Sequence, residues 1–171
     1  MNRTYVPENL NVDDPHEVSK LYRHLLQREI PVDSAKLRQW ILDWSELESV
    51  LGEVSCRRYV AMTCNTADEK AAKAYTDFVE NIQPIMNEYD DKLNKKLVAH
   101  PAKDALQGEF GEWFKGVQVS LDLFSPDNIA LETEENKEIQ AYQKITGGMS
   151  VEFDGETKTM QQMAAYMERT D

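Results

Sequence analysis

Cysteine is almost missing from this chain: Cys56 and Cys64 are the two among 171 residues. Eight residues apart in what reads as helix, their backbones stand about 12 Å apart, beyond the roughly 7 Å a disulfide tolerates, so reduced thiols are expected. Their spacing fits no Cys-x-x-Cys zinc pattern, and buried structural cysteines are the expectation. Histidine is equally scarce, at His16, His24 and His100. His16 is followed by Glu17, but position 20 is Lys20, so no H-E-x-x-H zinc motif exists, and the absence of Glu-x-x-His removes a di-iron bundle. His16 and His24 read as surface residues. Gly147-Gly148 lacks the lysine and hydroxyl of a phosphate loop. Cys64 and His100 could form a thiol and its base, but nothing in the spacing brings them together. No catalytic, cofactor-binding or metal-ligating residue is therefore assigned. No apolar run approaches the roughly 18 residues of a membrane span, and the N-terminus lacks the layout of a signal peptide, which points to a cytoplasmic protein.

Basic charge is also short, with 19 Lys and Arg against 31 Asp and Glu for a net charge of −12. The imbalance is concentrated in residues 101–171, where 14 acids face 6 bases. Such a surface repels phosphate backbones and anionic lipid, so neither nucleic acid nor membrane is expected as a partner. Hydrophobic residues make up 41% of the chain, enough for the core of one domain of ordinary size.

Helical periodicity dominates what is present. Residues 1–15 contain Pro7, Asp13, Asp14 and Pro15 with few apolar anchors and read as an extended lead-in. Val18, Leu21, Tyr22, Leu25 and Leu26 predict a helix over 16–29 that stops before Pro31. Asp33 or Ser34 caps the next, whose stripe Leu37, Trp40, Ile41, Trp44, Leu47, Leu51 and Val54 carries it to about Met62. Gly52 costs it about 1 kcal/mol relative to alanine. Thr66 with Glu69 three residues on reads as a capping box opening a spine over 66–98, on the order of 50 Å long, with Tyr75, Phe78, Ile82, Ile85, Met86, Tyr89, Leu93 and Leu97 on one stripe. Pro84 predicts a kink near Glu80 to Pro84 without a full break. Because only Thr63, Cys64 and Asn65 join the two, they form a long antiparallel helical hairpin of about 34–62 and 66–98. His100 and Pro101 end it.

Residues 103–124 fit a helix through Phe110, Phe114, Val117 and Leu121 and a strand through Val117, Val119, Leu121 and Leu123; helix is preferred, with close packing as a reason for Gly108, Gly111 and Gly116. A loop over 125–132 then leads to a helix opened by Thr133, carrying Ile139, Tyr142 and Ile145 and closed by Gly147 as a left-handed cap. At Met149 the period changes to two, and Asp154-Gly155 predicts a tight β-hairpin. Thr159 and Gln162 make a second capping box, with Met160, Met163, Ala164, Tyr166 and Met167 on a final helix in which the chain stops at Asp171. The fold class is mainly α, with a lead-in over 1–15, a helical domain over 16–146, and over 147–171 a β-hairpin and a helix expected to continue into a further domain.

Three segments carry a family resemblance: Arg57-Arg58-Tyr59-Val60-Ala61-Met62-Thr63-Cys64-Asn65-Thr66, Asp90-Asp91-Lys92-Leu93-Asn94-Lys95-Lys96-Leu97, and Tyr142-Gln143-Lys144-Ile145 through Phe153-Asp154-Gly155-Glu156. From about Trp40 onward the chain resembles the N-terminal region of oligoendopeptidase F, in the thimet-oligopeptidase-like family of zinc metallopeptidases. The resemblance implies a mostly helical cytoplasmic enzyme cleaving short peptides in an enclosed channel, with zinc on a motif far downstream. This chain would then be a wall or cap of that channel, inactive alone, whose partners are a downstream catalytic domain of the same protein and a short peptide. The alternative is a free-standing helical interaction module without activity.

Overall fold

The structure is a computed structural model that describes residues 3–167. Its elements run α1 (Pro15–Gln27), α2 (Ser34–Cys64), α3 (Glu69–Asn81), α4 (Gln83–Val98), a 3-10 segment (Pro101–Leu106), α5 (Gln107–Leu123), α6 (Pro126–Gly148), β1 (Ser150–Phe153), β2 (Glu156–Thr159) and α7 (Met160–Met167). The class is mainly α with one small antiparallel hairpin, as the periodicities predict. How far the final helix runs toward Asp171, and what the Met167 side chain meets, lie outside the described residues.

Side-chain caps set the starts of the first helices. Asp14 accepts from His16 N at 2.8 Å and Pro15 occupies the first turn of α1, where a missing N–H costs nothing. Asp33 accepts from Lys36 N at 2.9 Å to open α2, whose stripe Leu37, Trp40, Ile41, Trp44, Leu47 and Leu51 is buried as expected. Trp40, Tyr22, Phe78, Leu25, Leu37, Leu47, Leu51, Ile82, Leu93, Leu97 and Val18 are all less than 2% exposed. Each such burial contributes roughly 1.5–3 kcal/mol, which makes this cluster the main source of stability.

The spine opens two residues later than expected. Asp68, not Thr66, caps α3, its carboxylate accepting from Lys70 N at 2.9 Å and Ala71 N at 3.1 Å, because the short acidic side chain reaches both orphan amides at once. The expected kink region is marked at Ile82, the single residue between α3 and α4 two positions before Pro84. Its backbone stays in the right-handed helical region, its N–H donates to Phe78 O and its carbonyl accepts from Met86 N, so the spine is not fully broken. The hairpin consequently holds along α2 and α3, while α4 turns to α1. Tyr22 of α1 bridges the fork by donating to Glu48 of α2 and stacking on Tyr89 of α4 at 5.2 Å between centroids. Lys96 of α4 finishes α1 by donating to the carbonyls of Leu26 at 2.7 Å and Arg28 at 2.5 Å, a cation at a helix C-terminus.

The lead-in is more firmly held than its composition suggests. Glu46 of α2 accepts from Thr4 N and Tyr5 N at 3.0 Å, from Val6 N at 2.8 Å and from Thr4 Oγ1 at 3.0 Å, and Val6 is buried beneath them. Burial pushes this carboxyl up, but the four bonds outweigh it and hold Glu46 below the usual glutamate range.

Helix wins over strand at 107–123: Phe114 and Val117 are buried, whereas the strand-phased Val119 and Leu123 are 55% and 74% exposed. Close packing does not account for Gly108 and Gly116, where a Cβ would meet nothing within 4 Å, and Gly111 would meet only the Gln107 side chain. The loop expected at 125–132 is helical, since Ser125-Pro126 places proline at the first position of α6 and so moves the start back from Thr133. Gly147 is helical rather than a left-handed cap. A Cβ there would lie 2.8 Å from Thr66 Cγ2, so its small size admits the turn before α3.

α6 buries no residue and is held by polar contacts: Thr76 Oγ1 donates to Gln140 Oε1 at 2.8 Å, Gln140 Nε2 to Ala72 O at 3.0 Å and Asn87 Nδ2 to Glu132 Oε2 at 2.7 Å. Tyr142 and Ile145 remain 66% and 68% exposed. At the turn of the β-hairpin, Asp154 and Gly155 take φ of 55° and 78°, the left-handed pair a two-residue turn requires. The Thr159 capping box forms as expected, with Thr159 N donating to Gln162 Oε1 at 2.8 Å and Gln162 N to Thr159 Oγ1 at 3.2 Å.

Candidate functional site

Glu48 and Asp90 meet where α2 and α4 diverge. Each sits in phase with its helix's apolar stripe: Glu48 is four residues from Trp44 and three from Leu51, and Asp90 four from Met86 and three from Leu93. Both carboxyls line one cleft between α2, α4 and α5. Their hydrogen-bond donors are uncharged. The Tyr22 hydroxyl donates to Glu48 Oε1, and Trp44 Nε1 donates to Asp90 Oδ1 at 3.3 Å.

Burial, and then the negative charge of Glu48, push Asp90 up from 3.8 to about 8. Burial likewise raises Glu48. At neutral pH the pair therefore holds a proton. Burial and the adjoining carboxyls raise Tyr22 far above its ordinary value, so its hydroxyl stays a donor. The lysines of α4 turn elsewhere: Lys92 pairs with Glu88, Lys95 with Asp91 at 2.6 Å, and Lys96 with the α1 carbonyls.

A cleft of about 550 Å³ opens above the pair toward α5, walled by Trp44, Phe110, Trp113 and Val117. Trp113 meets Trp44 edge-on at 5.6 Å and Phe110 at 6.1 Å, and is itself 39% exposed. Asp90, Asn94 and Ser120 also line a second hollow of about 390 Å³, of mixed polar and apolar lining, that reaches Asn87, Asp91, Phe124 and Ile129. The two recesses thus share a wall that carries a titratable carboxyl.

The histidines are placed apart from this cleft. His16 and His24 are exposed on α1, His24 stacking on Tyr5 at 5.7 Å. His100 faces Ile30 O at 3.2 Å and accepts from Ala102 N at 3.2 Å, and Cys64 is not among its partners. Both cysteines are exposed, contrary to the expectation of burial, because Cys56 falls off the α2 stripe two residues past Val54 and Cys64 is the last residue of the helix. Among the described residues no group of three or more His, Cys, Asp or Glu side chains is placed to hold a metal ion. Sequence reasoning missed Glu48, Asp90 and Trp113. The available signal was a carboxylate in phase with the apolar stripe on each of two helices expected to pack together.

The family model of the Peptidase M3 N-terminal domain matches residues 9–124, from the lead-in through α5. No curated protein and no solved structure matches the chain.

Proposed function

Because this chain belongs to the Peptidase M3 N-terminal domain family, we propose that it is the helical N-terminal part of a zinc-dependent oligoendopeptidase, forming a wall or cap of the channel in which short peptides are hydrolysed. The single observation that carries this reading is the family match across α1–α5. The helical architecture is in keeping with it. In this reading zinc and its ligands belong to a downstream catalytic domain of the same protein, the enzyme is cytoplasmic, and the residues described here limit access by size. The exposed Tyr142, Ile145, Val151 and Phe153 supply apolar surface for that domain.

The test is reconstitution. The chain alone should show no peptidase activity and take up no stoichiometric zinc by calorimetry. Joined to the downstream part, it should support chelator-sensitive cleavage of short quenched peptides and exclude folded proteins. If the downstream part alone cleaved the same peptides at the same rate and with the same size limit, the role as a cap would be refuted. A free-standing interaction module would then account better for the exposed α6 face.

A further inference from the structure

We propose that the cleft between α2, α4 and α5 binds an organic cation, a primary ammonium or guanidinium carried on an apolar body, with Glu48 and Asp90 as its counter-charge and Trp44 and Trp113 as its aromatic walls. Two partly buried carboxyls side by side are costly to charge together, and the pair keeps a proton in place of its second charge; a cation entering from solvent displaces that proton and pairs with both carboxylates. Among the described residues no lysine or arginine reaches the pair. The donors that reach the pair, Tyr22 and Trp44, are neutral, and all three lysines of α4 are engaged elsewhere. From α5 the cleft receives Phe110, Trp113, Gly116, Val117 and Ser120, which carry no charge. An organic cation thus has an open route from solvent to the pair.

The walls narrow the class of ligand. Indole faces attract cations, and Trp44 and Trp113 lie edge-on at 5.6 Å in the same recess as the carboxyls. A bare metal ion would gain little there, since aromatic walls offer it no oxygen donors and no cluster of three ligating side chains is present among the described residues. An anion is repelled both by the pair and by the net charge of −12. A volume of about 550 Å³ accommodates a group the size of one amino-acid residue with its side chain. The same chemistry is presented by a free amine and by a lysyl side chain or amino terminus of a peptide. The site requires only the cleft and stands whether or not the chain serves a peptidase.

The experiment is titration of the full chain, followed by tryptophan fluorescence and calorimetry, with 2-phenylethylammonium and its neutral counterpart 2-phenylethanol. The amine should bind at least about tenfold more tightly than the alcohol. The double variant Glu48→Gln with Asp90→Asn should erase that preference. Trp113→Ala, at a partly exposed position that the fold tolerates more readily, should weaken the amine about fivefold and keeps the proposal testable if the double variant does not fold. A capped lysyl tripeptide binding more tightly than the free amine supports the site and assigns its source to peptides. The reverse order supports it and assigns a small amine. Equal affinity for amine and alcohol, an amine affinity unchanged by Trp113→Ala, or no binding of either at millimolar concentration overturns it. The assay needs no peptidase activity, so its failure leaves the reading above intact, and the reverse holds equally.

Discussion

Replacing Asp90 with asparagine separates the charge of the partly buried pair of Glu48 and Asp90 from its shape. Asparagine keeps an oxygen to accept from Trp44 Nε1 and replaces the titratable oxygen with a neutral amide of nearly the same shape. In the wild type the folded chain retains a proton that the unfolded chain has lost, because Asp90 is raised from 3.8 to about 8. Between those values the native state binds more protons than the unfolded state, so stability falls as pH rises. At about 1.4 kcal/mol for each tenfold change in proton affinity, the raised carboxyl bounds this loss at roughly 6 kcal/mol. Sharing of the proton with Glu48 and the opening of the cleft to solvent reduce the effect to on the order of 2–4 kcal/mol. Asp90→Asn should therefore match the wild type near pH 4 and exceed it near pH 8, by roughly 5–15 °C in Tm for a chain of this length. Thermal unfolding followed by circular dichroism across that range reads the difference directly. A difference independent of pH, or a variant less stable than the wild type near pH 8, would refute the account of a proton held in the native pair.

Glu46→Gln should cost roughly 2–4 kcal/mol in urea unfolding at neutral pH and speed amide exchange at Thr4, Tyr5 and Val6, since it weakens four charge-assisted bonds. The carboxyl of Glu46 is held below its ordinary value, so its contribution is present above the unfolded pKa and is lost as pH falls through the folded one. An exchange pattern unchanged at the lead-in would show that other contacts hold it. Trp44→Ala or Phe78→Ala should cost about 3–5 kcal/mol and Glu135→Ala almost nothing. Similar losses at both kinds of site, measured by the same denaturation, would contradict the burial pattern.

The sequence by itself determined the elements. Stripes at steps of three and four, together with local caps at Asp14, Asp33 and Thr159 and the Asp154-Gly155 turn, act over one or two turns of backbone. Such short-range chemistry is readable from neighbours in the chain. Pro84 likewise announced the kink, because a missing N–H is a covalent fact. Where two local signals competed, the reading slipped: Asp68 prevailed over Thr66 because its reach to two amides depends on the path of the chain out of α2, and Gly147 belongs in α6 because Thr66 presses against it from a distant turn.

Only the tertiary structure decided the rest. The departure of α4 from α2, the insertion of Tyr22 into the fork and the anchoring of the lead-in on Glu46 join residues about 40 or more positions apart, or three separate helices. A buried carboxyl looks in sequence like any surface carboxyl. Glu48 and Asp90 become a proton-holding pair facing aromatic walls because two helices bring their stripes together while α5 leaves the seam open. Desolvation is a property of that assembled environment, so the chemistry of the cleft exists in the fold and not in any segment of the chain.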